Sequence, residues 1–279
     1  MDPIEYWNGR AGDRWVRGQD TLDAMLLPYG EAALDAGRVQ EGHAVLDVGC
    51  GCGTTSLALA ERVGPRGRVV GLDVSAPMLA RARETGRGRS NLTFIEADAS
   101  RAPIEDGAFD VVFSRFGVMF FPEPAEAFAR LRRALRPAGR VAFVCWRPLD
   151  ENPWARVPAE AAARALAVVE PPADPEAPGP FSFGDRARVQ RILEGAGFQG
   201  LTLKPFDRVN HFGGSGSVGE TAAECASLGL AARLLVGKND AEVRRAIAAI
   251  EGAIEPFMVP SGGASFRAAA WIVSGSAAT

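Results

Sequence analysis

The chain has 279 residues, 47% of them hydrophobic, and a formal net charge of −3 at pH 7. That is enough apolar material to bury a full core, and without a basic surplus a nucleic-acid-binding face is not expected. The opening residues MDPIEYWNGRAGDRW lack the basic and apolar regions of a secretory leader, and no uncharged apolar run approaches the ~18 residues of a membrane span, so a cytoplasmic protein is expected. The four cysteines, Cys50, Cys52, Cys145 and Cys225, have no neighbours at zinc spacing, and no metal is expected.

In chain order, residues 14–36 predict a helix. Residues 44–48 (AVLDV) form a short apolar strand running into glycines, and a helix follows from Thr54 to Arg62. The strand signal returns at 68–73 (RVVGLD), 92–97 (LTFIEA), 109–114 (FDVVFS) and 140–146 (RVAFVCW), with helices at 76–85 and 124–136. Strands alternating with helices predict an α/β fold with a parallel sheet covered on both faces. After Trp146 the rhythm breaks. Residues 150–180 hold an alanine-rich helical stretch and PPADPEAPGP, and six prolines from Pro158 to Pro180 forbid a continuous helix there. Then come a helix at 185–196 stopped by Gly197, a strand at 199–209, a loop at 210–219, helices at about 219–235 and 239–255, and an edge strand at 265–274. These elements give a doubly wound, mostly parallel sheet of seven strands in one domain spanning 1–279. Residues 1–40 form an N-terminal helical cap, and 150–180 and 210–235 are lid insertions that shape an acceptor site.

The densest chemical signal is Val45-Leu46-Asp47-Val48-Gly49-Cys50-Gly51-Cys52-Gly53, where the first strand hands over to the first helix of the sheet. Nucleotide-like ligands bind there in open α/β sheets, and glycines serve positive φ angles and close approach to the main chain. A dinucleotide site reads G-x-G-x-x-G; here the third glycine comes one residue early. Asp47, two residues before the first glycine, would crowd a pyrophosphate but suits a ligand carrying an ammonium group. Asp73 ends the second strand, placed to accept from ribose hydroxyls. Asp98, beside the small Ala99, ends the third strand and suits an adenine amino group. Ser114 and Arg115 end the fourth. Each acid has a plainer alternative as a cap: Asp47 of the following turn, Asp73 of the helix from Ala76, Asp98 of the loop at 99–103. Their recurrence at successive strand ends favours a nucleoside ligand.

DVGCGCG, VVGLDVS, FIEADAS, FDVVFSRFGVMFF and LRPAGRVAFVCW, in that order, resemble the motifs of class I S-adenosylmethionine-dependent methyltransferases, especially the ubiquinone/menaquinone-biosynthesis type. The resemblance covers 42–147 strongly and 185–209 and 265–274 loosely. Residues 148–180 and 210–235 match nothing. It implies the Rossmann-like class I methyltransferase fold and S-adenosyl-L-methionine as cofactor. It also implies Gly49, Cys50 and Gly51 against the methionine moiety, Asp73 on the ribose, Val74 and Met78 on the adenine, Asp98 and Ala99 at its edge, and Ser114 at the methionine end. Tyr6, Trp7, Arg14 and Trp15 would fold over the cofactor as a lid; as a plain alternative, these aromatics pack on the sheet edge. Cys52 departs from the family, which usually has a hydroxyl or another small residue there.

Methyl transfer from a sulfonium is a direct displacement, so alignment and exclusion of water matter most, and a base is needed only where the acceptor must lose a proton. His211, opening the glycine-rich loop, is the candidate base, with a hydrogen-bonded loop role as its rival; Tyr29 and Asp150 are weaker candidates, and His43 reads as a surface residue. Phe116, Met119, Phe120, Trp146, Trp154, Phe181, Phe183 and Phe212 are candidate pocket walls for a small, largely apolar acceptor, aromatic, quinone-like or isoprenoid. Two alternatives remain at this stage: a non-catalytic S-adenosylmethionine-binding protein, and a nicotinamide-dependent oxidoreductase, disfavoured by the glycine spacing. The atom methylated and the oligomeric state, a homodimer included, are not legible in the sequence.

Overall fold

The structure is a computed structural model that describes residues 3–168, 174 and 176–278. Three helices open it, α1 (Pro3–Asn8), α2 (Arg10–Arg17) and α3 (Gln19–Gly37). The helix expected over 14–36 is thus broken at Gly18, whose N–H closes α2 on the Arg14 carbonyl at 2.9 Å. There follow β1 (Ala44–Val48), α4 (Thr54–Val63), β2 (Arg68–Asp73), α5 (Ala76–Thr85), β3 (Leu92–Glu96), β4 (Phe109–Arg115), α6 (Pro124–Ala134) and β5 (Leu135–Trp146). The later elements are α7 (Pro153–Ala165), α8 (Arg186–Gly195), β6 (Phe198–Phe212), α9 (Val218–Ala226), α10 (Gly229–Leu234), α11 (Asp240–Ile254) and β7 (Ala264–Ala277).

The seven strands form one sheet in the order β3-β2-β1-β4-β5-β7-β6, with β3, β2, β1, β4 and β5 paired in parallel. All five residues of β1 are buried, as a strand covered on both faces requires. The strand order reverses between β1 and β4, so the crevice at the carboxyl ends of β1, β2 and β4 is the switch point where such sheets take ligands. β7 runs antiparallel to β6: Thr202 Oγ1 meets Ser274 Oγ at 2.8 Å and the Ser276 hydroxyl donates to the Gln199 carbonyl at 3.3 Å. It lies between β5 and β6 and is not the expected edge strand. Its near-continuous burial is that of an interior strand.

Three other expectations change. Residues 219–235 make two helices, because Gly229 takes a φ of 56° at the start of α10. β6 continues to Phe212, so Asn210–Phe212 are strand and not loop. α7 continues through Pro158 and stops in the alanine-rich stretch that follows it. Pro171, Pro172 and Pro175 lie outside the described residues.

The chain divides into two compact units, Met1–Cys145 with Pro178–Pro205 and Trp271–Thr279, and Trp146–Ala177 with Phe206–Ala270. The first is built on the fully buried Leu46, Leu59, Leu79, Phe113, Phe128, Leu131, Phe143 and Phe183. The second has its own aromatic core. Trp154 lies 5.0 Å from Trp146 and stacks on Phe212 at 6.2 Å, Phe212 meets Phe266 at 5.7 Å, and Phe266 stacks on Phe257 at 4.6 Å. Phe183, Trp146 and Phe212 are buried, as aromatics that pack in a core are, whereas Trp154 is partly exposed. Within the second unit, Asn152 is fully buried. Its amide donates to the carbonyls of Arg147, Pro148 and Ala269, each at 3.1 Å, and its oxygen accepts from Ala269 N and Trp154 Nε1, each at 2.9 Å. Among the described residues, no helix is long and apolar enough to cross a membrane.

Candidate active site

β1 delivers the glycine loop to the switch point, and the loop is fastened to the end of β2. Gly49 N and Cys50 N donate to the Leu72 carbonyl at 2.8 and 3.0 Å, and Gly51 N donates to Asp73 Oδ2 at 2.8 Å. Gly49 and Gly51 both hold positive φ, 69° and 56°, but they lack a Cβ for different reasons. A Cβ on Gly49 would stand 2.8 Å from Gly117 Cα, so the space a side chain would take is filled by the backbone after β4. A Cβ on Gly51 would meet only Met78 Cε, at 3.5 Å. The open face of the loop is at Gly51.

The three acids stand at the carboxyl ends of β1, β2 and β3, and each already has partners: α4 hydroxyls for Asp47, backbone N–H groups for Asp73 and Asp98. Asp47 is completely buried. Its Oδ2 accepts from the hydroxyls of Thr55 at 2.7 Å and Ser56 at 2.6 Å, tying the first turn of α4 to β1. Its Oδ1 is buried with no hydrogen-bond partner among the described residues. Burial pushes the carboxyl up to about 6, against the pull of the two hydroxyls and of Arg115, with Asp73 adding to the rise. Asp73 accepts Gly51 N on one oxygen and Ser75 N, at 2.9 Å, on the other; burial still raises its pKa above the usual carboxylate value, against those backbone N–H groups. Two N–H bonds leave a carboxylate with lone pairs to offer. Asp98 Oδ1 accepts the Ser100 N–H at 2.8 Å and hydroxyl at 2.6 Å, while Oδ2 lies 3.8 Å from Arg101 Nε.

Met78 and Ala99 are buried, and Val74 is partly exposed. Ser114 is buried at the end of β4, beside the glycine loop. Its hydroxyl donates to the Val48 carbonyl at 2.7 Å and accepts from Gly117 N at 3.1 Å, so it clamps the glycine loop to β4 with no donor left over. Around the other side, the first helices dock on the turn between β2 and α5. Asn8 Nδ2 donates to the Val74 carbonyl at 2.8 Å and its Oδ1 accepts Ala76 N at 2.9 Å, while the Ser75 hydroxyl donates to the Trp7 carbonyl at 2.8 Å. Trp7 stands edge-on to Trp15 at 5.9 Å and to Phe120 at 5.3 Å. The aromatic N-terminus thus sits beside Asp73 and Val74.

His211 is exposed at the end of β6, with Nε2 2.9 Å from the Gly214 carbonyl and Nδ1 3.0 Å from Ser265 Oγ. A carbonyl can only accept, so Nε2 carries the proton and Nδ1 accepts from the serine. The two ring nitrogens tie the segment after β6 to the start of β7, the hydrogen-bonded role that rivals a base. Tyr29 is buried with its ring 5.7 Å from Phe116, and Asp150 is exposed. His43 is partly exposed before β1.

A polar chain that motif reading missed lies beside the loop. Arg115 Nη2 donates to Asp23 Oδ1 at 2.6 Å, and the Thr54 hydroxyl donates to Asp23 Oδ2 at 2.5 Å. Gln19 Nε2 reaches Thr54 Oγ1 at 3.4 Å, and Arg81 Nε donates to Gln19 Oε1 at 3.1 Å. Asp23 and Gln19 lie on α3, where no motif marks them; the one available signal was a pair of polar residues on the mostly apolar side of an amphipathic helix. Among the described residues, no group of three or more His, Cys, Asp or Glu could hold a metal ion.

Residues 45–139 match the methyltransferase domain family. Over this segment the chain is similar to methyltransferase domains. The chain is 36% identical over 121 residues to the aklanonic acid methyltransferase of Streptomyces sp. (strain C5), covering 43% of this chain and 55% of that protein. It is 38% identical over 103 residues to a demethylmenaquinone methyltransferase of Staphylococcus aureus, covering 37% of this chain and 43% of that protein. The matches therefore span about half the length of these relatives or less. Among solved structures, the YcgJ protein of Bacillus subtilis superposes with a TM-score of 0.60 at 18% identity, covering 90% of this chain and 99% of that one. An S-adenosylmethionine-dependent methyltransferase of Aquifex aeolicus gives a TM-score of 0.52 at 24% identity, covering 71% and 90%. These two share the fold.

S-adenosyl-L-methionine is the cofactor of class I methyltransferase domains, and the residues present fit it. The loop offers a bare backbone face at Gly51, Asp73 retains lone pairs, and Asp47 Oδ1 is an orphaned acceptor of the kind an ammonium group satisfies.

Proposed function

We propose that the chain is an S-adenosyl-L-methionine-dependent methyltransferase whose acceptor is a small, largely apolar molecule, aromatic or quinone-like. The observation that carries the reading is the coupling of Gly51 to Asp73 at the switch point, where one carboxylate both shapes the loop and faces the place of a sugar. When bound, S-adenosyl-L-methionine supplies a methyl group on a positively charged sulfur, ready for direct displacement. Asp73 would hold the ribose hydroxyls, Val74 and Met78 would supply apolar surface to the adenine, and Asp98 Oδ2 with Ala99 would meet its edge. Gly51 would present its main chain to the amino-acid end. Trp7, Asn8 and Trp15 would cover the nucleoside and exclude water, which is the protein's main task in such a transfer. The acceptor class is supported by the activities named for the two relatives and by the lack of a basic surplus in the chain.

The test is incubation with methyl-labelled S-adenosyl-L-methionine and a panel of naphthoquinols and aromatic polyketide acids. Label should appear in a solvent-extractable small molecule. Binding of the cofactor with no transfer across the panel would contradict the proposed acceptor class and favour the non-catalytic reading.

A further inference from the structure

Arg115 ends β4, two residues before the Gly117 that fills the bare side of Gly49, and nothing above gives it a chemical task. Its side chain is only 9% exposed. It passes beneath α3, with Cδ 3.3 Å from where a Cβ on Gly30 would stand. Among the described residues, its one hydrogen bond is the 2.6 Å contact of Nη2 with Asp23. Its other guanidinium nitrogens are not among the buried polar atoms lacking a partner, so they stay within reach of solvent despite the burial of the side chain. An arginine held by one edge, with N–H groups left over among the described residues, can take a second planar anion.

The neighbours fix where the guanidinium is held. Asp23 grips Arg115 with one oxygen and Thr54, the first residue of α4, with the other. The guanidinium is therefore fastened at the exit of the glycine loop, beside a helix start that itself favours negative charge. The group is also felt by the buried Asp47 on one side of the loop and by Cys52 on the other. Structural pairing alone does not call for this placement, because Asp23 needs only one N–H from the five that Arg115 carries.

We infer that Arg115, positioned by Asp23 and Thr54, is the counter-charge for the α-carboxylate of the cofactor's amino-acid end. The inference rests on the cofactor reading above and adds to it a residue that recognises the zwitterion rather than the nucleoside.

Isothermal titration of the intact apo protein with two ligands tests it: S-adenosylhomocysteine, which has the amino-acid end, and methylthioadenosine, which shares the nucleoside and thioether but lacks that end. Arg115→Gln should weaken S-adenosylhomocysteine at least ~20-fold and methylthioadenosine less than ~3-fold, a selective loss of a charge-assisted bidentate contact. Arg115→Lys keeps the charge without the fork and should show the same selectivity at roughly fivefold. It carries the test alone if the glutamine variant does not fold. Asp23→Asn should fall between wild type and Arg115→Gln. Equal losses for both ligands, or an unchanged S-adenosylhomocysteine affinity, overturn the assignment and leave Arg115 a structural ion pair. Failure of the folded wild type to bind either ligand contradicts the cofactor reading itself, and this inference falls with it.

Discussion

Asn152→Leu is expected to lower the free energy of unfolding by about 3 kcal/mol, because a buried and a part-buried N–H lose the amide oxygen that accepts from both. Leucine has nearly the same shape but none of the five hydrogen bonds that the buried amide makes. The carbonyls of Pro148 and Ala269 each keep another partner, Glu151 N at 3.0 Å and Arg147 N at 2.9 Å. Ala269 N and Trp154 Nε1 lose the amide oxygen that accepts from both. Each orphaned N–H costs roughly 1–3 kcal/mol when buried, and apolar packing by leucine offsets little of it. Urea unfolding followed by tryptophan fluorescence measures the change, since Trp146 and Trp154 lie in the same unit as Asn152. A loss under about 1 kcal/mol would show that the amide is dispensable.

The second large effect is a dependence on pH. Asp47 has its carboxyl pushed up by burial from 3.8 to about 6. The folded protein therefore takes up this proton at a higher pH than the unfolded chain does. Between about pH 4 and 6 the native state binds more protons, so the stability Asp47 contributes falls as pH rises through that window. Ionised Asp47 carries its full penalty above pH 6, about 3 kcal/mol for a rise of about two pH units. Asp47→Asn cannot ionise. Its stability relative to wild type should grow by about 3 kcal/mol from pH 4 to pH 7.5 in parallel urea titrations. A difference that stays flat with pH would place the Asp47 titration where it lies in an unfolded chain. The ammonium of a bound cofactor would favour the ionised form, so saturating S-adenosylhomocysteine should flatten the same difference.

Much of the fold was legible because its signals are local. The short apolar runs of β1 and β2 and the helix of α5 begin and end where the sequence places them, at 44–48, 68–73 and 76–85. Each is bounded by glycine, proline or a polar cap within a few residues. β7 reads as an edge strand in the sequence but lies between β5 and β6, because the neighbours of a strand are set by long-range pairing that its own residues do not encode. At the site, the strand-end acids were legible as types at positions, but their partners were not. The clamp of Ser114 on Val48 and the docking of Asn8 on Val74 each join residues 66 apart, and Arg115 meets Asp23 across 92. No periodicity encodes such contacts. The packing of Gly49 on Gly117 was not legible for the same reason: a glycine needed for ligand approach and one needed for close backbone packing are the same letter.

The most direct measurement is calorimetric titration of the folded wild type and of Asp73→Ala with S-adenosylhomocysteine. Loss of two hydroxyl contacts should cost on the order of 2–3 kcal/mol, roughly 30- to 150-fold in dissociation constant. Tight binding by wild type with that loss in the variant is the expected result. A folded wild type that does not bind, or a variant that binds as tightly, would contradict a nucleoside gripped at the end of β2.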